Sequence, residues 1–283
     1  MFRPFLRQRF MATERDFEQA LNALGLDGSQ NVIAHTSLSS FGHFEGGQTA
    51  LVRSLKRCVA TLVVPTFSYA MSIDASEIVN RNNILGSERQ FGRFSPVSKD
   101  LGRVAQHMVD DPQSVRSFHP LLSFAAQGTY AHEITGVQSL ENPYAPIGAL
   151  YDLDGWVLLL GVGMSSNTSV HYGEHLAGQV LLPRWVLIEG VPKQTWFPNC
   201  SGAFSRLHKG LKTDRRSVTL GRATLEAYPV RAVVDLAHLR VSKDPEALLC
   251  GFSGCRCQDV RKRVRAQGLS PRIHQVSIQD TPH

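Results

Sequence analysis

The sequence of 283 residues predicts one mixed α/β domain, because apolar strands alternate with segments of helical spacing. Residues 31–35 and 59–65 are short apolar runs, and residues 49–58 between them have helical spacing. That order is a βαβ unit, which favours parallel strands joined by a right-handed crossover. A third apolar run, at residues 156–161, leads into a glycine turn and another segment of helical spacing.

The chain begins with a predicted helix that starts after Thr13 and ends at Gly25. The Thr13 hydroxyl can accept a hydrogen bond from an amide one turn further on, and apolar side chains recur at helical spacing. After the first strand, a turn at Gly46 and Gly47 precedes the second predicted helix. The strand at residues 59–65 is almost wholly apolar, so we expect both of its faces to be buried.

The middle of the chain is less regular. Residues 68–93 are polar and are predicted to form an irregular loop with helical turns, a kind of segment that often binds ligands. Residues 98–110 resume a helix and residues 121–126 are strand-like, whereas residues 131–136 are too short to assign. Residues 142–148 contain two prolines and are predicted to form a turn before the next strand.

The C-terminal half is predicted to contain strands and turns at residues 180–190 and 218–234. Short helices are predicted at residues 245–250 and 258–267. The sequence has no internal repeat and no low-complexity linker that would mark a domain boundary.

Length and composition fit one domain. A chain of this length can bury a substantial core, and its 42% hydrophobic and 19% charged residues are ordinary for a globular protein. We therefore expect a single domain over residues 1–283, with a core at about residues 13–250 and a cysteine-containing extension at residues 250–283.

The formal net charge of +6 raises the question of an anionic partner. The basic residues are scattered, and neither an RNA-binding aromatic motif nor a helix-turn-helix pattern is present, so we do not expect nucleic acid as a partner. No apolar run approaches the roughly 20 residues that cross a bilayer, so no membrane partner is expected. Residues 1–10 lack the apolar core of a secretory signal, and a cytoplasmic protein is expected.

Five cysteines, without a secretory signal, are expected to be reduced. Cys250, Cys255 and Cys257 crowd the C-terminal region and, with Cys200 or His208, are a candidate zinc site. Their spacing lacks the C-x2-C hairpin that is typical of structural zinc. Reduced, partly buried thiols without a metal are therefore the expectation.

Residues 160–175 carry the most informative pattern. They leave an apolar strand, turn through two glycines, and enter a predicted helix that carries His171, Glu174 and His175. At i, i+3 spacing, His171 and Glu174 lie on the same face of the helix, where their side chains can meet. An imidazole beside a carboxylate at the end of a buried strand indicates proton-transfer chemistry, although such a pair alone is more often a surface pair.

The motifs, taken in order, resemble the aminoglycoside 3-N-acetyltransferases, the antibiotic N-acetyltransferase family. No single motif is specific, but the ordered set spans about residues 31 to 257. It comprises His35-Thr-Ser-Leu with Gly42, Gly46 and Gly47; Val64-Pro-Thr-Phe-Ser68; Arg116-Ser-Phe-His-Pro120 with Ser123 and Ala126; Pro146-Ile-Gly-Ala-Leu-Tyr151; Leu158-Leu-Leu-Gly-Val-Gly163; Asn167-Thr-Ser-Val-His171 with Glu174 and His175; Asn199-Cys-Ser201; and Cys250, Cys255 and Cys257.

This resemblance implies a mixed β-sheet in a three-layer α/β/α core with an irregular C-terminal extension. It also implies an acyltransferase that moves an acetyl group from acetyl-CoA to an amino group of an aminoglycoside or a related amino sugar or amine. His171 would be the general base, because an imidazole with an ordinary pKa of about 6.5 suits proton removal at neutral pH. Glu174 would orient the ring, His175 would be structural, and attack on the thioester would be direct.

The resemblance also implies where acetyl-CoA binds. Hydroxyls, backbone amides and glycines at the carboxyl ends of the strands would meet the pantetheine amides and the phosphates. No metal is expected to be required. The residues expected to contact CoA are His35, Thr36, Ser37, Gly42, Gly46, Gly47, Thr66, Ser117 and His119.

Three alternatives stay open at this point. His171, Glu174 and His175 match H-x-x-E-H, the inverted zinc-peptidase signature, in which the two histidines would bind zinc. The basic charge favours an anionic or nucleotide-linked amine over a polycationic aminoglycoside as acceptor. A protein that binds CoA without transferring an acetyl group is the third alternative. A homodimer is expected as the commonest oligomer.

Overall fold

The computed structural model describes residues 11–74, 78 and 89–267. Within this part of the chain the helices are α1 (Glu14–Ala23), α2 (Gly47–Cys58), α3 (Gly102–Asp110), α4 (Ala131–Gly136), α5 (Ala145–Asp152), α6 (Ser169–Leu176), α7 (Val230–Lys243) and α8 (Cys257–Gln267). The strands are β1 (Met11–Ala12), β2 (Asn31–Thr36), β3 (His43–Phe44), β4 (Thr61–Pro65), β5 (Val115–Arg116), β6 (Phe124–Gly128), β7 (Trp156–Leu160), β8 (Leu182–Ile188), β9 (Val191–Phe197), β10 (Arg216–Leu220) and β11 (Ala223–Pro229).

Seven strands form one mixed sheet in the order β10-β11-β7-β2-β4-β6-β5. Strand β2 is parallel to both β4 and β7, which confirms the predicted βαβ unit of β2, α2 and β4. Strands β6 and β11 pair antiparallel with β4 and β7, so the parallel strands lie at the centre of the sheet. Strands β8 and β9 form a separate antiparallel hairpin.

Helices cover both faces of the sheet. Successive side chains of a strand point to opposite faces, so Val32 and Ala34 pack against α1, α2 and α3 while Ile33 packs on the opposite side. Apolar residues of α4, α5, α6 and α7 form the core on that second side. The three-layer α/β/α core expected from the sequence is confirmed. The assignment of residues 1–283 to a single domain stays a prediction.

The first helix follows the sequence prediction. The Thr13 hydroxyl accepts a hydrogen bond from the Asp16 amide at 3.2 Å, and the Asp16 carboxylate accepts one from the Thr13 amide at 3.0 Å. This capping box satisfies backbone donors that the helix itself leaves free. No helix in the described ranges is long and apolar enough to cross a membrane.

The structure corrects four assignments. The predicted turn at 142–148 is partly helix, since α5 begins at Ala145 and Pro146 lies in its first turn, where proline is tolerated. The strand predicted from residue 121 begins at Phe124. Residues 245–250 form hydrogen-bonded turns instead of a helix. The predicted loop at 68–93 is not among these corrections, because its residues 75–77 and 79–88 lie outside the described ranges.

The fourth correction is the helix α7, where strands and turns were predicted as far as residue 234. Strand β11 ends at Pro229 and the helix begins at the next residue. Its buried valines recur at i, i+3, i+4 and i+11, namely Val230, Val233, Val234 and Val241. Valine favours strands, but this spacing is helical, and the buried side of the helix decides the outcome.

Helix α6 packs closely on α7 through Gly173. A Cβ at this position would lie 2.4 Å from the carbonyl oxygen of Val234 and 2.7 Å from the Cβ of Ala237. Only glycine allows the two backbones to approach this closely. The orientation of α6 therefore depends on the absence of a side chain at residue 173.

His119 attaches the β8–β9 hairpin to the main body. Its Nδ1 accepts hydrogen bonds from the amides of Leu121 and Leu122, at 3.2 and 3.0 Å. Nδ1 therefore carries no proton, and Nε2–H faces the hydroxyl of Thr195 on β9 at 3.0 Å. Burial lowers the pKa of His119 to about 4, so the neutral ring that this arrangement needs is the stable form.

We expect Gly173→Ala to lower the free energy of unfolding by about 1–3 kcal/mol, because α6 and α7 must separate to admit a methyl group. Chemical denaturation measures the change. Gly136→Ala is the control, since a Cβ there would meet nothing within 4 Å. Equal stability of the two variants would contradict close packing at Gly173.

We expect His119 to make stability depend on pH. Its pKa is lower in the folded chain than in the unfolded chain, about 4 against about 6.5, so the unfolded state binds the extra proton. The stabilisation is complete above pH 6.5 and is lost as the pH falls toward 4, by up to about 1.4 kcal/mol per pH unit.

Denaturation of wild type and His119→Asn at pH 7 and pH 5 measures this contribution. The asparagine oxygen can still accept from the two amides but does not titrate, so the loss of stability at pH 5 should be smaller in the variant. His132→Asn is the control because His132 is exposed. An identical pH dependence in wild type and His119→Asn would disprove the assignment.

Candidate functional site

A cavity of about 310 Å³ lies at the carboxyl ends of the parallel strands β2, β4 and β7. The chain segments that follow these strands form one wall, as expected for ligand sites in sheets of this kind. The residues lining it on this side include Ala34, His35, Thr36, Val64, Pro65, Phe67, Tyr69, Val162, Ser165, Ser166, Asn167, Thr168 and His171. The remaining lining residues are Asp100, Leu101, Val104, Ala105, Leu122, Tyr144, Phe197, Pro198, Ser201, Phe204 and Arg256.

The turn between β7 and α6 requires glycine at residue 161. Gly161 has a φ of +71°, and a Cβ there would lie 2.6 Å from the Cβ of Ser40. The Ser40 hydroxyl donates a 2.7 Å hydrogen bond to the Gly161 carbonyl and fixes the turn against the loop after β2. Asn167 Oδ1 then accepts from the Ser169 amide at the start of α6. This path brings His171 to the cavity wall.

His171, Glu174 and Asn199 form a buried hydrogen-bonded chain. Nδ1 of His171 and Oε2 of Glu174 are 2.6 Å apart, as the i, i+3 spacing predicted. The Asn199 amide nitrogen donates to Oε1 of Glu174 at 2.7 Å. The exposed fractions of the three residues are 8%, 2% and 1%. Both oxygens of the buried carboxylate are thus paired, which is what its burial requires.

The hydrogen bonds assign the two ring nitrogens of His171. A carboxylate only accepts, so Nδ1 carries the proton and donates to Glu174, and Nε2 keeps its lone pair. The imidazole stacks on the Tyr144 ring at a centroid distance of 5.7 Å and meets the Phe204 ring edge-on at 4.7 Å. The ring is therefore held in one orientation, with a basic nitrogen available for proton transfer.

Three buried polar atoms of cavity residues have no hydrogen-bond partner among the described residues: His35 Nε2, Thr36 Oγ1 and Tyr144 OH. Burial lowers the pKa of His35 to about 3, so its ring is neutral. Burial and then the Glu174 carboxylate raise the pKa of Tyr144 well above its ordinary value, so its hydroxyl keeps its proton. Unpaired buried polar atoms are costly, and atoms of this kind in a cavity are suited to bind a ligand.

Three of the predicted CoA contacts do not reach the cavity. The hydroxyl of Thr66 lies 3.1 Å from that of Ser123, and the Ser117 hydroxyl accepts from the Phe124 amide at 2.8 Å. His119 is occupied by backbone amides and Thr195. Thr66, Ser117 and His119 are not among the described residues that line the cavity, and their polar atoms are used within the fold, so their contact with CoA stays a prediction.

The remaining predicted contacts divide into two groups. His35 and Thr36 lie in the cavity wall with His171, as expected. Ser37 and the glycines lie on the stretch that leads to α2 and are not among the described residues that line the cavity. The glycines are Gly42, Gly46 and Gly47, and their positive φ angles form the turns of this stretch. Contact between this stretch and CoA stays a prediction.

No individual role was predicted from the sequence for Tyr144, Asn199 or Arg256. Tyr144 lies in the segment predicted as a turn, and Asn199 belongs to a matched motif whose partner is distant in sequence. The Arg256 guanidinium donates to the carbonyls of Pro198 and Asn199 at 2.9 Å and lines the cavity. Its position between Cys255 and Cys257 was the sequence feature that could have indicated a role for Arg256.

The zinc-peptidase alternative fails on geometry. His171 Nδ1 is engaged with Glu174, and the His175 ring stacks on that of Tyr172 at 6.4 Å, away from the cavity lining. Within the described ranges, the one group of side chains placed like metal ligands consists of cysteines. The described residues thus do not group the two histidines of H-x-x-E-H with a third candidate metal ligand.

A model of the aminoglycoside 3-N-acetyltransferase family matches residues 33–241. The chain is 30% identical to a Bacillus subtilis relative, the SPbeta prophage-derived aminoglycoside N(3')-acetyltransferase-like protein YokD, over 66% of the chain and 74% of that protein. It is 33% identical to aminoglycoside N(3)-acetyltransferase IV of a Salmonella species, over 56% of the chain and 57% of that enzyme. The aligned region thus spans less than two thirds of the Salmonella enzyme.

A solved structure shares the fold over most of the chain. The apoenzyme of aminoglycoside acetyltransferase AAC(3)-IVa superposes with a TM-score of 0.76 at 26% identity, covering 90% of this chain and 99% of that enzyme. The superposition includes more of the chain than the sequence alignments do. The mixed sheet and both helical layers are therefore shared with an enzyme of known structure.

Proposed function

The chain belongs to the aminoglycoside 3-N-acetyltransferase family, and from this membership we propose that it transfers an acetyl group from acetyl-CoA to an amino group at the cavity beside His171. The family, the fold class and the acyltransferase class expected from the sequence are confirmed by the matches. The donor, the acceptor and the roles of the residues are our proposal. The observation that carries it is the buried chain of Asn199, Glu174 and His171 at the cavity wall.

His171 acts as the general base in this proposal. The acceptor nitrogen, as the neutral amine, attacks the thioester carbonyl carbon while Nε2 of His171 accepts the proton that this nitrogen loses. The N–C bond forms, the C–S bond breaks, and the CoA sulfur takes the proton held by His171. Glu174 stabilises the imidazolium while it exists and Asn199 holds the carboxylate in place, as in other histidine–carboxylate pairs.

The unpartnered polar atoms support binding of the donor. Hydrogen-bond groups at His35, Thr36 and Tyr144 would meet the thioester and the pantetheine amides, which carry complementary donors and acceptors. Neutral rings and hydroxyls suit these uncharged parts of CoA. The same fold binds CoASH in AAC-IIIb.

Charges near the cavity bear on the acceptor. The guanidinium of Arg93 donates to carbonyls of residues 109, 111 and 114, and that of Arg89 donates to the Ser72 carbonyl. Both guanidiniums keep their charge, but their donors are engaged by carbonyls of the fold, so the structure does not present them as binding groups for an anionic acceptor. The other charged residues of the stretch 68–93 are Asp74, which is exposed, and Glu77, Arg81 and Glu88, which lie outside the described residues.

We therefore propose an aminoglycoside or a related amino sugar as the acceptor. An AAC(3)-IVa variant with a histidine replaced by alanine, similar in structure to this chain, binds the aminoglycoside apramycin. An anionic or nucleotide-linked amine is the second candidate, because the described charged residues that line the cavity, apart from histidine, are Arg256 and Asp100. The cytoplasmic location and the homodimer stay predictions.

We expect His171→Ala to lower kcat about 10²–10⁴-fold, since general-base catalysis is lost. In His171→Ala the KM for acetyl-CoA should change little. Glu174→Gln should lower kcat by a smaller factor, because the imidazole of His171 keeps an uncharged hydrogen-bond partner. Release of CoA thiol in steady-state assays measures the rates. The exposed His132→Ala should be fully active. Unchanged turnover in His171→Ala, or CoA binding by wild type without turnover of any amine tested, would contradict the proposal.

We expect turnover with aminoglycosides to exceed that with anionic amines. A panel of aminoglycosides, neutral amino sugars and nucleotide-linked amino sugars would be compared by kcat/KM. Arg256→Met removes the charge at the cavity and two hydrogen bonds to the loop of Asn199, so it should lower kcat/KM for anionic amines more than kcat/KM for aminoglycosides. Turnover confined to the anionic amines, abolished by Arg256→Met, would establish the second candidate instead.

A further inference from the structure

Four cysteines from three separate parts of the chain meet behind the cavity. Cys200 follows β9, Cys250 follows the turns after α7, and Cys255 and Cys257 lie at the start of α8. Their four sulfur atoms all lie within 4.8 Å of one another. The Cys257 and Cys200 sulfurs, 57 positions apart in sequence, are separated by 3.4 Å.

We infer that Cys200, Cys250, Cys255 and Cys257 bind one zinc ion as a four-thiolate structural site. Zinc–sulfur bonds of about 2.3 Å in a tetrahedron place the sulfurs about 3.8 Å apart, in the range that the cluster spans. Cys257 is buried and the others are partly buried. The sequence-based expectation of metal-free thiols rested on the spacing near residue 250 and did not anticipate that Cys200 supplies the fourth sulfur.

Apolar packing explains only part of the cluster. Cys257 packs with Leu182, Leu249 and Val260, as a small apolar side chain would. Packing does not require four sulfurs to converge on one point. The Gly202 amide donates to the Cys200 sulfur at 3.4 Å, the kind of outer hydrogen bond that supports a thiolate ligand. His208, the other ligand considered from the sequence, lies beside Arg215 and Glu226 instead.

The ion would hold the loop that completes the candidate site. Cys200 directly follows Asn199, whose amide pairs with Glu174. Cys255 and Cys257 flank Arg256, which donates to the carbonyls of Pro198 and Asn199. None of the four cysteines is among the described residues that line the cavity. The zinc is therefore structural, and it positions Asn199 and Arg256 without contacting substrate.

Metal analysis of the full chain, purified under reducing conditions, tests the site. We expect about one zinc per chain in wild type, as for other closed four-thiolate sites. Cys250→Ala and Cys255→Ala should each lose most of the metal. Cys58→Ala is the matched control, because Cys58 is a buried free cysteine of α2 in a different part of the core. It should retain the zinc.

Cobalt substitution of the wild-type protein does not depend on the folding of any variant. Four thiolates should give intense sulfur-to-cobalt charge-transfer absorption and the visible bands of tetrahedral cobalt. Their absence would overturn the four-thiolate assignment. So would wild type that neither contains zinc nor takes it up under reducing conditions, retention of zinc by both cluster variants, or two disulfides found among these cysteines by mass spectrometry.

Limited trypsin digestion reports the structural role. Helix α8 carries Arg261, Lys262, Arg263 and Arg265, so loss of the ion should speed cleavage within 261–265. Equal cleavage rates of the zinc-loaded and chelator-treated protein would remove the proposed role of the ion in holding α8. Metal content and cleavage are independent of acetyl transfer, so these results stand whether or not the proposed reaction is correct.

Discussion

The hydrogen bond between His171 and Glu174 is the interaction on which the candidate site depends. A carboxylate with 2% exposure is stable only if both of its oxygens are paired. The imidazole satisfies one oxygen, and the second is paired from outside the short helix. Asn199 supplies that partner from the loop after the β8–β9 hairpin. The site therefore requires the C-terminal half of the chain to fold back over α6.

The same constraint explains the helix packing. A helix of eight residues is too short to be stable alone, so α6 must be held by tertiary contacts. Gly173 lies between His171 and Glu174 and lets the α7 backbone approach within van der Waals contact. The functional side chains and the packing contact alternate along the same two turns. The residues of the proposed proton transfer and the helix packing contact thus lie in one segment of sequence.

The features predicted correctly from the sequence are those that depend on residues close together in the chain. The apolar strands, the capped first helix and the His171–Glu174 pair follow from spacing within one element. The helix α7 was missed because its valines resemble a strand, and only burial against α6 selects the helix. Asn199 and Tyr144 were missed because their partners are distant in sequence. The predicted CoA contacts Ser117 and His119 carry suitable polar groups, but backbone amides in the fold already use them.

Some buried polar groups at the cavity have hydrogen-bond partners within the fold, and others have none among the described residues. The carboxylate of Glu174 and Nδ1 of His171 are paired, so their geometry is fixed before any ligand arrives. His35 Nε2, Thr36 Oγ1 and Tyr144 OH lie in the same cavity without partners among the described residues. A ligand that forms a hydrogen bond with one of these groups would gain about 0.5–1.5 kcal/mol from it. These groups lie in the same cavity as Nε2 of His171, which is where the proposed reaction requires an acceptor amine and a thioester to meet.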